Sequence, residues 1–136
     1  TRPASKVTVE ASFTKIKEEP KVSFADVSTS AYYADAVAWA VENGVTGGTS
    51  ATTFSPDAAC TRAQAVTMIN RMLNRVPEDP SDLLPGMNVW PDCRPGDWFY
   101  LAIQEATNSH DHRHKADSYE TWTSLNANPD WTRYEN

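Results

Sequence analysis

Basic residues are scarce in this chain. Lys and Arg total 12 against 18 Asp and Glu, which leaves a net charge of −6 at pH 7. A surface of that sign is poorly suited to nucleic acid or anionic lipid, so neither is expected as a partner. Any anion recognised here must be held by a local set of donors. Long apolar runs are also missing, and none reaches the roughly 20 residues needed to span a bilayer. The start lacks an initiator Met and the pattern of a secretory signal, so the chain reads as a fragment or processed product. Cysteine is limited to Cys60 and Cys93, in no C-x-x-C or zinc pattern. Two free, partly buried thiols are expected; a disulfide is the alternative, since spacing alone does not say whether the Cα atoms approach. No phosphate-cradling loop and no activated Ser or Cys nucleophile is present, and the neighbouring carboxylates Glu78 and Asp79 fall in a linker. The chain is therefore not expected to be an enzyme, nor to carry a cofactor or metal.

What is present falls into segments. The 136 residues suffice for one ordinary domain or two small repeats. Residues 6–13 alternate, with Val7, Val9, Ala11 and Phe13 on one face, as in a half-buried strand. A lone strand is not stable in water, so residues 1–22 read as the end of an upstream β-domain plus a charged linker. Tyr33, Ala36, Val37, Ala40 and Val41 then recur at helical spacing over 32–43, with Gly44 at the C′ position and Ser28, Thr29 or Ser30 available as caps. A Gly- and Thr-rich loop follows. A second helix over 62–75 is expected to turn Ala65, Val66, Ile69, Met72 and Leu73 to one side. The proline-bearing stretch 76–87 reads as a linker.

Sliding the chain by 66 positions reveals a repeat. Phe24 falls on Trp90, Asp26 on Asp92, Tyr32 on Trp98, Tyr33 on Phe99, Ala36 on Ala102, Val37 on Ile103 and Ala40 on Ala106. A helix is expected over 97–108, and "PDWTRYE" near the end echoes "PDAACTRAQ". Two units follow, at 23–75 and 88–136, the second divergent and incomplete. Repeats of such length form helical modules that share a core. Phe24, Tyr33, Val37, Val41, Phe54, Val66 and Ile69 are expected to be buried together, joined by Leu101 or Ile103.

Thr61-Arg62-Ala63-Gln64 opens the second helix. Thr61 at N-cap with Gln64 at N3 makes a capping box, which accounts for both residues. It does not account for Arg62, a cation set against the positive end of the helix dipole. Free amides, the dipole and a guanidinium fork together suit a carboxylate. Gly47 and Gly48 allow close approach to the backbone. Trp39 and Trp98 are available to stack on a sugar or to pack in a core. Asp26 either ties down its own turn or meets a sugar hydroxyl. The segment "SHDHRH", residues 109–114, gathers all three histidines and reads as a solvated loop; the alternative is adventitious metal binding, since His110 and His114 would share a helix face with Asp111 close by.

"FADV", "YYADAVAWAVENGVTGG" and "TTFSPDAACTRAQAVTMINRML", in that order, resemble an S-layer homology repeat over residues 24–75, with a weaker likeness over 88–136. The resemblance implies a mainly α fold: tandem helix–loop–helix repeats packed as a small bundle, here with one N-terminal strand. It implies a secreted, extracellular anchor at the cell wall of a Gram-positive bacterium. The implied partners are adjacent repeats and a secondary cell-wall polysaccharide linked to peptidoglycan, often carrying pyruvate ketals. On that reading Arg62, Thr61, Gln64, Gly47, Gly48, Trp39, Asp26, Arg133 and Trp98 are the ligand-binding candidates. The alternative is a degenerate structural or docking repeat without glycan binding. The chain departs from the family pattern at Gln64, where Glu is usual. The second unit lacks the glycine turn and stops too soon after Thr132-Arg133 for a second helix.

Overall fold

Local signals set the helix ends. The computed structural model describes residues 23–135, so the alternating segment 6–13 lies outside the described residues. Helix α1 spans Ala34–Glu42 and ends in a Schellman turn, where Gly44 at φ 69° donates to Val41 O and Val45 donates to Ala40 O. No side chain caps its start; Ser28 and Ser30 bond to each other upstream instead. Helix α2 spans Arg62–Met72 and carries the expected capping box. It closes with a second Schellman turn built on Asn74, at φ 55°, whose successor Arg75 donates to Asn70 O. That reversal sends the Arg75 side chain back towards the second half of the chain.

Some backbone hydrogen bonds recur at the same offset of 66. Val27 donates to Phe24 O as Cys93 does to Trp90 O; Ala34 donates to Ala31 O as Tyr100 does to Asp97 O. Tyr32 meets Tyr33 edge-on at 5.1 Å, and Trp98 meets Phe99 the same way at 5.4 Å. Helix α3, Tyr100–Thr107, occupies the place of α1.

Past α3 the correspondence fails, and the expectation of a mainly α fold, with helix–loop–helix repeats packed as a small helical bundle, is overturned. Asn108 leaves α3 in an extended conformation, and the chain enters a two-stranded antiparallel sheet. Strand β1, His110–His114, pairs with β2, Glu120–Leu125. The segment read as a solvated loop is thus a strand. Its histidines alternate with Asp111 and Arg113, a period of two, and β2 contributes Thr121, Trp122 and Thr123, which favour strands. Ser118, at φ 75°, makes the turn between them. The echo of the helix start near the C-terminus, Trp131–Tyr134, is a short 3₁₀ turn.

The main core lies in the second half. Leu83, Cys93, Tyr100 and Trp122 are buried together, and Leu101, Ile103 and Leu125 pack on them. Leu83 comes from the segment read as a linker, which also holds a 3₁₀ turn at Pro80–Asp82 capped by Asp79. Among the apolar residues expected inside, Phe24 and Val37 are buried, whereas Ile69 is 49% exposed. The neighbouring Asn70 takes the inner position, where its amide donates to Ala102 O of α3 at 2.9 Å. Both cysteines are free, with Cys60 exposed and Cys93 buried. No described helix is long and apolar enough to cross a membrane.

Candidate functional site

A cleft of about 510 Å³ runs between the glycine loop, α2 and Trp98. Thr61 and Gln64 hold the N-terminus of α2: Gln64 N donates to Thr61 Oγ1 at 3.1 Å, and Thr61 N donates to Gln64 Oε1 at 2.8 Å. The far wall is Phe54-Ser55-Pro56. Ser55 is left-handed at φ 61°, and Asp26 accepts from its N–H at 2.7 Å and from Phe54 N at 2.9 Å. These two backbone donors hold the Asp26 carboxyl below its ordinary range. Asp26 is thus chiefly a long-range tie that shapes the wall. The floor needs glycine at 48: φ is 83°, and a Cβ there would lie 2.7 Å from both the Phe24 ring and Thr53 O.

Four candidates named from the sequence line this cleft: Gly47, Gly48, Gln64 and Trp98. Thr61 and Arg62 adjoin Cys60, which lines it, and both are exposed. Trp39 is an exposed residue of α1 outside the lining, and Arg133 stands 5.3 Å over the Tyr134 ring near the C-terminus. The cation within the lining is Arg71, which sequence reasoning missed. A signal existed, because Gln64, Thr67, Met68 and Arg71 follow helical spacing and share one face of α2. Arg71 reaches only Val45 O, at 3.4 Å, and is exposed.

A second polar cluster joins Arg75, just past the end of α2, to α3 and the hairpin. Arg75 Nη2 is 2.7 Å from Glu105 Oε1, and its Nε is 2.6 Å from Glu120 Oε2. His110 stacks on Trp122 at 4.0 Å, and the Trp122 Nε1–H donates to Glu105 Oε2 at 2.8 Å. Two carboxylates face one guanidinium in a buried place, so one of them keeps its proton. Burial, with a hydrogen bond to Glu120, pushes Glu105 up to about 8. Burial also acts to raise Glu120, but hydrogen bonds from Glu105 and Arg75 outweigh it and hold Glu120 low. Nearby, Lys115 lies 2.6 Å from Glu78 and 3.0 Å from Asp82, and these contacts raise its pKa.

Comparison with known proteins places the first unit. Residues 23–66 match the family model of the S-layer homology domain. The chain is 42% identical over 55 residues to a surface-layer 125 kDa protein of Lysinibacillus sphaericus, a stretch covering 40% of this chain and 5% of that protein. No solved structure matches. The chain is thus similar to an S-layer homology domain over its first unit and spans only a small part of the surface-layer protein it matches.

Proposed function

We propose that the S-layer homology domain at 23–66 is a non-covalent anchor whose ligand is an acidic secondary cell-wall polysaccharide, linked to peptidoglycan and bearing pyruvate ketals. The glycan occupies the cleft between the glycine loop, α2 and Trp98, and adjacent repeats of the same kind extend the attachment. One observation carries this reading: the cleft combines a guanidinium, bare glycine backbone and an indole, with Trp98 66% exposed. A guanidinium fork suits a ketal carboxylate, glycine lets a ring approach, and an indole offers an apolar face to the sugar. Arg71 takes the carboxylate. Arg62, at the flank, adds to the local positive potential. The role is attachment rather than catalysis.

The rival is a degenerate structural repeat that docks on protein without glycan. Binding to purified wall polymer separates the two. Arg71→Ala is expected to weaken binding by about 1.5–3 kcal/mol, the scale of a hydrogen bond to a charged group. Arg71→Lys should restore only part, because an ammonium keeps the charge and loses the fork. Arg62→Ala should cost less than Arg71→Ala. Undiminished binding by Arg71→Ala, or equal binding of the parent to polymer stripped of its acidic groups, would reject the reading.

A further inference from the structure

We propose that His110, His112 and Glu120 form a binding site for a zinc-class divalent cation, which clamps the two strands of the hairpin together. The fold assembles these donors from both strands. His110 and His112 are two residues apart on β1 and so share a face. A bulge between the pairs Asp111–Ser124 and His112–Trp122 sets the register that brings Glu120 under them.

The spacing is that of a metal site about to close. Zinc bonds of 2.0–2.1 Å at tetrahedral angles put donor atoms about 3.3–3.4 Å apart. Here His110 Nε2 is 3.4 Å from Glu120 Oε1. His112 Nε2 is 3.8 Å from Glu120 Oε2, and one donor atom from each of His110, His112 and Glu120 falls within 4.8 Å of the others. The small closure required is within the reach of side-chain torsions.

The surrounding hydrogen bonds suit the role. His110 Nδ1 lies 2.7 Å from Asn108 O, a carbonyl that can only accept, so Nδ1 carries the proton. Arg75 Nη2 lies 2.9 Å from His110 Nε2 and can only donate, so Nε2 turns a lone pair inward. A ring held through its outer N–H by a backbone carbonyl, with the other nitrogen unprotonated, is the usual state of a metal-binding histidine; an ion would take the lone pair that Arg75 now engages. The Arg75 side chain is 30% exposed and borders a polar cavity of about 380 Å³, together with Glu105 and His110. That cavity gives the ion a way in and the guanidinium room to withdraw. Imidazole donors favour zinc over magnesium or calcium, which take oxygen ligands. The other acidic group, Glu78, Asp79 and Asp82, offers carboxylate oxygens alone, two of its three residues exposed, and supports no such proposal.

The test uses the whole 136-residue chain, stripped with chelator and titrated with zinc chloride by calorimetry and by thermal melting. The expected result is one zinc per chain and a raised melting temperature, because an ion bound only by the folded state stabilises it. His112→Ala removes a ligand whose side chain is 27% exposed, so its metal-free melt should stay close to the parent's while zinc affinity falls at least about tenfold. His114→Ala should keep the parent's affinity, since His114 is exposed and outside the donor set. Absence of binding heat and melting shift in the parent overturns the proposal. So does His112→Ala binding as the parent does, or His114→Ala losing as much as His112→Ala, which would place the ion on the outer histidine pair. If His112→Ala fails to fold, cobalt(II) added to the parent decides. Tetrahedral visible bands support the site, and an octahedral spectrum rejects it.

Discussion

Glu105 shows how one residue can couple the fold to pH. Its ordinary value of 4.5 is pushed up to about 8, first by burial and then by Glu120. Between those values the folded chain binds more protons than the unfolded one, so Glu105 makes stability fall as pH rises through that window. Glu120 is shifted the other way. Its contribution is present above the ordinary carboxylate value and is lost as pH falls below it. With chelator present, the melting temperature should therefore decline from about pH 5 to about pH 8. Glu105→Gln, which mimics the protonated acid, should flatten that decline. An unchanged slope in the variant would show that the proton sits elsewhere. Neither carboxylate stood out in the sequence, because Glu105 follows Gln104 on an ordinary helix and Glu120 opens an ordinary strand. Gln104 is a further buried polar residue. Its Oε1 accepts from Asn108, but its Nε2 finds no partner among the described residues. Gln104→Met should be close to neutral in stability, since the Asn108 amide keeps Gln104 O as an acceptor at 3.2 Å. A loss above about 2 kcal/mol in denaturant unfolding would count against that assignment.

At the scale of elements, α2 carries most of the local logic. Its capping box satisfies amides that the helix itself leaves open, so Thr61→Ala should cost about 1 kcal/mol of stability. Polymer binding should change less, because Thr61 is outside the cleft lining. A thermal melt equal to the parent's would mean the cap is dispensable. The helix was legible because its cap, its periodicity and its reversal all act within about four residues. The hairpin was legible in principle and misread in practice. "HDHRH" fits a strand period of two, but three histidines with a polar background give little apolar contrast, and helical spacing also pairs His110 with His114. The contact with Trp122 breaks the tie, and it comes from β2, beyond the reach of a local reading. Ile69 was misplaced for a related reason. The α2 surface facing α3 is chosen by the Asn70–Ala102 bond, which no hydrophobic pattern reveals.

At the scale of the whole molecule, the second unit is completed by parts that the repeat pattern does not contain. Trp122 supplies the core with a side chain, and Glu120 pairs Arg75 across from the first unit. A chain ending at Asn108 would leave Arg75 and Glu105 without Glu120 and would uncover Leu83 and Tyr100. Such a truncation is expected to unfold less cooperatively than the parent when both are melted and followed by circular dichroism. A transition as cooperative as the parent's would show that the hairpin is an ornament. The matched surface-layer protein is far longer than this chain, and the aligned stretch is 5% of it.

The sequence by itself determined the three helices and the recurrence that places α3 over α1. It also determined the likeness to a surface-layer repeat over the first unit. Each rests on caps, turns and periodicities that operate between near neighbours, so they can be read before the chain is folded. The tertiary structure alone decided which cation enters the cleft, since Arg62 and Arg71 lie on one helix and differ only in the face they present. It alone brought Arg75 to Glu120 across 45 residues and set His110 against both carboxylates. The cost of burying charge depends on every partner that arrives with it, and those partners are fixed by packing between distant segments rather than by any spacing along the chain.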